Sequence, residues 1–227
     1  MRVGIAAIYH LAFFGAFIPY LAFKSGRRLA ARPLPPKVKY FSSQIIILAI
    51  FFVVSAFVAR REWIDVFPRD VPEPRMFGLG AAVLVAFVVL MRPMWRKRIE
   101  ERSRNAWLFM PRTRQEHVLW TGCSFAAGVS EELTYRGVMF VILWRVTGSA
   151  IAAALIAGAV FAISHFLQGW KSMAIIFGMA LAFQMIAWVS GSLYVGMAVH
   201  ALYDIIAGFY YGAFGERLGY PIEPMPP

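Results

Sequence analysis

Long apolar runs alternate along the chain with short charged stretches. The apolar segments fall over 3–23, 42–59, 76–95, 116–129, 131–146, 149–166, 172–189 and 192–213. A membrane-crossing helix needs about 20 apolar residues at about 1.5 Å of rise each, and most of these segments qualify. Segment 116–129 is short and bounded by Gly128 and Ser130, so it reads either as a crossing or as a re-entrant or interfacial piece. None of the runs shows the period-two alternation of a barrel strand. The pattern predicts an all-α fold, a polytopic transmembrane helix bundle of seven to eight helices. The first run, Val3 to Phe23, reads as a span rather than a cleaved leader: it is too long, and no small-x-small cleavage site follows.

Composition sharpens this picture. The 227 residues are 60% hydrophobic with mean hydropathy +0.63, whereas soluble domains run at about 45–50% apolar. The net charge of +11 comes from the connections. The stretch 24–40 carries Lys24, Arg27, Arg28, Arg32, Lys37 and Lys39 without an acid, and 92–114 is again strongly basic. Between them, 60–75 sets Arg60, Arg61, Arg69 and Arg75 against Glu62, Asp65, Asp70 and Glu73. The positive-inside rule places the two basic stretches in the cytoplasm and the N-terminus outside. Such charge fits anionic lipid, not nucleic acid, because no basic stretch is interleaved with stacking aromatics. The single Cys123 allows no intramolecular disulfide. Organisation follows as an N-terminal three-span region over 1–115, a core over 116–213 that holds the candidate chemistry, and a flexible tail over 214–227 whose end, Pro221 to Pro227, is proline-rich.

Ionisable residues inside the apolar runs carry the functional signal. Glu131, Glu132, Arg136, His165, His200 and Asp204 all lie where a charge costs about 2.5–3.5 kcal/mol on insertion scales. Ser130 is a natural N-cap with two acids in the turn behind it, so a helix start is expected there. Arg136 follows Glu132 by one turn and can neutralise it, an ordinary interfacial ion pair; Glu131, rotated about 100° away, is free to face a cavity. His165 ends the helix predicted over 149–166, where a lone His often satisfies the helix dipole. Depth favours function: Glu131 lies 16 residues before Thr147 and His165 lies 18 after it, so both stand about 24–27 Å from the same turn. Asp204, one turn past His200, can accept its ring N–H and fix the tautomer. His200 is about 13 Å from Gly191, shallower than His165, so a tilt or a kink near Gly196 is expected to bring them together. His10, His117 and Cys123 have no local partners and read as bystanders.

Glu131-Glu132-x-x-x-Arg136, Phe161-x-x-x-His165 and His200-x-x-x-Asp204, in that order on successive helices, resemble the CPBP family of intramembrane proteases. That family includes CAAX prenyl proteases of the Rce1 type and bacteriocin-processing or self-immunity (Abi) proteins. The resemblance covers residues 116 to about 213. It implies peptide-bond hydrolysis in a cavity within the bundle, on a membrane-associated or prenylated substrate. It implies that Glu131, assisted by His165, activates water. It implies that His200, with residue 204, stabilises the oxyanion, with Glu132 and Arg136 in support. CAAX-type members tend to have Asn at the position of Asp204. An ionised Asp cannot donate to an oxyanion, so Asp204 is either protonated or orients His200.

The chemistry is plausible from the residues alone: a carboxylate beside a His can deprotonate water. No cofactor is expected. The alternative is zinc held by Glu131, His165 and His200; no His-Glu-x-x-His motif is present. Competing readings are a non-catalytic membrane immunity or scaffold protein, an ion or proton transporter using the same residues, and a haem protein ligated by His165 and His200. The short loops suggest a multi-pass protein of a prokaryotic plasma membrane.

Overall fold

In the computed structural model, residues 3–68 and 71–223 are described. Arg69 and Asp70 of the second connection, and residues 224–227 of the proline-rich tail, lie outside the described residues. The described chain is all-helical. Its rods are α1 (Ile5–Ala31), α2 (Lys37–Arg61), α3 (Pro74–Glu100), α4 (114–147), α5 (Ala150–Ser164), α6 (Trp170–Ser190) and α7 (Tyr194–Arg217), with a 3₁₀ turn at Arg104–Phe109. Of these, α1, α2, α3 and α6 are long and apolar enough to cross a membrane.

The expected break before Glu131 does not exist. Segments 116–129 and 131–146 form one rod, α4, made of α-helix Arg114–Glu131, a π-helical stretch Glu132–Met139 and α-helix Phe140–Thr147. The start lies at Thr113, not Ser130. Thr113 Oγ1 accepts from Glu116 N at 3.2 Å, and Glu116 Oε2 accepts from Thr113 N at 3.2 Å, a capping box that satisfies two orphan amides. Ser130 is interior and buried. The rod ends at Gly148, whose φ of 69° is a left-handed C-cap open to glycine. At about 1.5 Å per residue α4 spans about 50 Å, so 116–129 adds no crossing of its own.

The connections sort to two ends of the bundle. At one, Asn105 Nδ2 donates to Leu167 O at 3.1 Å, Trp107 Nε1 to Pro221 O at 2.8 Å and Tyr220 Oη to Ile99 O at 3.0 Å. Arg104 reaches the carbonyls of Leu29 and Arg32 there as well. Both basic stretches therefore share this end. At the other, Glu62 accepts from the amides of Gly4 and Ala7 at 3.0 and 3.1 Å, Arg145 donates to Glu62 O at 2.8 Å and Tyr194 Oη to Pro68 O at 3.1 Å. Position 214, the expected start of the tail, falls inside α7, and Tyr220 beyond it is buried.

Lipid offers no hydrophobic drive between helices, so packing and polar bonds must join them. Both occur. Rings of Phe14, Phe51, Tyr135 and Phe161 knit α1, α2, α4 and α5, with centroids 4.8 Å apart for Phe14–Phe51 and 5.1 Å for Tyr135–Phe161. Beside them His10 Nε2 pairs with Ser55 Oγ at 3.2 Å, and Ser55 Oγ with Thr134 Oγ1 at 2.8 Å. His10, without a partner in its own stretch of sequence, is thus a buried link from α1 through α2 to the π-helical stretch of α4.

Candidate active site

The site forms where α4 and α7 touch. A Cβ on Gly128 would lie 2.7 Å from the Met197 carbonyl oxygen and 2.8 Å from the Ala201 nitrogen. Only a residue without a side chain permits that approach. One turn further along α4 come Glu131 and Glu132, and three residues past Met197 comes His200. The helix α7 runs unbroken from Tyr194 to Arg217. The expected kink at Gly196 is not what brings the histidine in; the close crossing at Gly128 does so.

Both acids reach the same imidazole from opposite sides. Glu132 Oε1 accepts from His200 Nδ1 at 2.9 Å. His200 Nε2 lies 3.7 Å from Glu131 Oε2 and 3.7 Å from Asp204 Oδ2. The partner at hydrogen-bonding distance that orients His200 is therefore Glu132, 68 residues away, and not Asp204 one turn along its own helix. The Phe183 ring stacks on the imidazole at 5.2 Å.

Glu132 and Arg136 do pair, with Nη1 3.2 Å from Oε1. The setting differs from the expected interface: the residues are 1% and 4% exposed. Arg136 is held by charge and ring faces more than by aligned hydrogen bonds. Its guanidinium carbon stands 4.1 Å from the Phe161 ring centre and 5.4 Å from that of Phe183, and both Nη atoms lack a hydrogen-bond partner of good geometry. The π-helical register of 132–139 carries this pair, and such stretches recur at functional sites.

His165 Nδ1 lies 2.8 Å from Phe161 O. As donor there, the ring holds its proton on Nδ1 and leaves Nε2 free. Its ring centre lies 4.5 Å from that of Phe161, and the Phe161 ring centre lies 6.3 Å from that of His200. Phe161 is thus a ring neighbour of both histidines.

Glu131, His165, His200 and Asp204 all line one cavity of about 800 Å3, within the range of ligand pockets. The lining is largely apolar and comes from all seven rods. It includes Phe13 of α1, Leu48 of α2 and Trp95 of α3, so the N-terminal spans, which carry no distinctive motif, wall the site. Cys123 and Tyr135 also line it. The sequence reads Cys123 as a bystander and gives Tyr135 no role. Tyr135 lies in the apolar part of its motif, and its Oη is 3.5 Å from Ser164 Oγ. His117 is elsewhere, its Nδ1 2.8 Å from Thr113 O.

The fit to a metal is poor. Among the described residues no group of three or more His, Cys, Asp or Glu is placed to hold an ion. In particular Glu131, His165 and His200 are not such a group: Glu131 meets His200, while His165 Nδ1 is bonded to Phe161 O.

No curated protein and no solved structure matches the chain. A family model does, over residues 113–206, a segment that begins at the cap of α4 and holds all three motifs. The chain is an integral membrane protein, and over 113–206 it is similar to the Rce1-like family, described as type II CAAX prenyl endopeptidase Rce1-like.

Proposed function

We propose that this protein is an intramembrane endopeptidase of CAAX type, hydrolysing a peptide bond near the end of a membrane-associated, prenylated substrate. One observation carries the reading: a cavity-facing carboxylate, Glu131, lies 3.7 Å from His200 Nε2, and both line one large, mainly apolar cavity. A water seated about 2.8 Å from each could be deprotonated by Glu131 as it attacks the scissile carbonyl. The proton then passes to the leaving amine. Arg136 balances Glu132, which frees Glu131 to act as the base.

His200 and Asp204 face the position where the oxyanion develops. With Nδ1–H engaged by Glu132, His200 donates from Nε2 only when doubly protonated. Asp204 donates only when protonated. His165 offers Nε2 toward the cavity and assists Glu131 through the water. The apolar walls suit a prenyl chain, and the site opens toward the end that carries both basic stretches, which positive-inside reasoning makes cytoplasmic. We place the protein in a prokaryotic plasma membrane, and no cofactor takes part in this reading.

The test is cleavage of a farnesylated peptide by purified protein in detergent, comparing wild type with Glu131→Gln. Cleavage by wild type and none by the variant supports the reading. Equal turnover removes Glu131 as the base, and no cleavage by either removes the activity.

A further inference from the structure

The cavity has a second charged region. Besides Glu131, His165, His200 and Asp204, its charged lining residues are Arg28 of α1 and Arg98 of α3. Both lie outside the segment matched by the family model. Around them the lining turns polar, with Ser25, Gln168 and Ser172. Arg98 Nη1 donates to Ser172 Oγ at 3.2 Å, a bond that points the guanidinium across the cavity toward α6.

Among the described residues neither arginine is within ion-pair distance of a carboxylate. The acids near Arg98 along α3 are engaged elsewhere: Glu100 pairs with Arg96 at 2.6 Å and Glu101 with Lys97 at 3.7 Å. Arg98 is half-buried and Arg28 exposed; a half-buried cation facing an apolar chamber without a counter-charge is an anion site in waiting, and an Arg fork suits a carboxylate best.

Separation along the helices identifies the anion. Arg98 adjoins Tyr211 of α7. Tyr211 lies seven residues beyond Asp204 and eleven beyond His200, or about 10–16 Å along the axis. An extended peptide advances about 3.3 Å per residue, so about three to five residues bridge that distance. A peptide carries one obligatory anion, its C-terminal carboxylate.

We propose that Arg98 and Arg28 bind the C-terminal carboxylate of the substrate peptide and so set the distance from the chain end to the bond presented to Glu131. The assignment rests on the endopeptidase reading for the identity of the ligand. Arg98 and Arg28 are specificity-determining residues, not members of the reacting set.

The experiment measures binding and cleavage of one farnesylated peptide in two forms, with a free C-terminal carboxylate and with a carboxamide, in uncharged detergent. Wild type should bind the carboxylate form about ten- to a hundredfold more tightly, the range for a hydrogen bond to a charged group. In Arg98→Ala, and further in the double variant with Arg28→Ala, that ratio should fall toward one. Arg98→Lys should restore part of it as a point charge. A wild-type ratio near one overturns the proposal without any variant, as does a ratio that survives in the double variant. The two readings separate cleanly. Preferential binding without cleavage supports the anion site and overturns the endopeptidase. Glu131-dependent cleavage with equal affinity for both forms does the reverse.

Discussion

Glu132 Oε1 accepts the Nδ1 proton of His200 at 2.9 Å while lying 3.2 Å from Arg136. One buried carboxylate therefore joins α4 to α7, selects the ring face that His200 turns to the cavity and neutralises an arginine. The more exposed Glu131 is left facing the cavity. Two adjacent acids thus stand in different surroundings.

Glu131→Gln should lower proteolysis by at least the 10²–10⁴-fold typical of a lost general base, with the protein still inserted and folded. Among the described residues Glu131 has no side-chain hydrogen bond to another element, and its side chain is 16% exposed. Turnover of the farnesylated peptide, alongside thermal stability in detergent, separates catalysis from folding.

Arg136→Ala should harm stability as well as activity. It leaves Glu132 buried beside His200 without its cation, and breaking a buried pair costs about 3–5 kcal/mol. It also removes the charge held between the Phe161 and Phe183 rings. The measurement is the melting temperature in detergent; an unchanged value would falsify the buried pair.

Gly128→Val should push α4 away from α7. The first added carbon already meets the Met197 carbonyl at 2.7 Å, and overpacking of this kind costs about 1–3 kcal/mol. Activity should fall more than stability, because Glu131 and Glu132 both reach His200 across this crossing. Gly122→Val is the control: its nearest neighbour is a side-chain methyl at 3.7 Å.

Asp204→Asn should keep turnover at or above the wild-type level, since an amide donates to an oxyanion without first taking up a proton. Asp204→Ala should lose about 10²–10³-fold, the usual loss for one oxyanion donor. Because Glu132 already orients His200, the reverse result, with Asn inactive, would show that the negative charge of Asp204 is what the site requires.

Cysteine labelling from outside intact cells, in a Cys123→Ala background, should mark Ser149→Cys and spare Lys171→Cys. Ser149 lies in the turn at the end opposite the basic stretches, and Lys171 is exposed at the start of α6. Ser172 would be a poor probe, because it is buried against Arg98. Labelling of position 171 alone would invert the bundle and put the site on the outer side.

Much of this protein was legible in its sequence. Apolar runs of spanning length require helices wherever lipid cannot hydrogen-bond the backbone, so the all-helical bundle follows directly. The cost of a charge in hydrocarbon singles out Glu131, Glu132, Arg136, His165, His200 and Asp204. The i,i+4 rule places Arg136 beside Glu132, because that spacing is local. Ser130 misleads for a local reason too: a capping residue ahead of two acids reads as a helix start, yet α4 runs through it, with Glu132 bonded to the distant His200 and Arg136 set against the Phe161 and Phe183 rings rather than at a helix end. Spacing along a helix reports depth and says nothing of which neighbour stands opposite. That His200 turns to Glu132 and not Asp204, that Phe161 packs near both histidines, and that Arg28 and Arg98 share a cavity with Glu131 depend on how helices far apart in sequence cross. The missing side chain of Gly128 permits one of those crossings, and its effect exists only once α7 is packed against it.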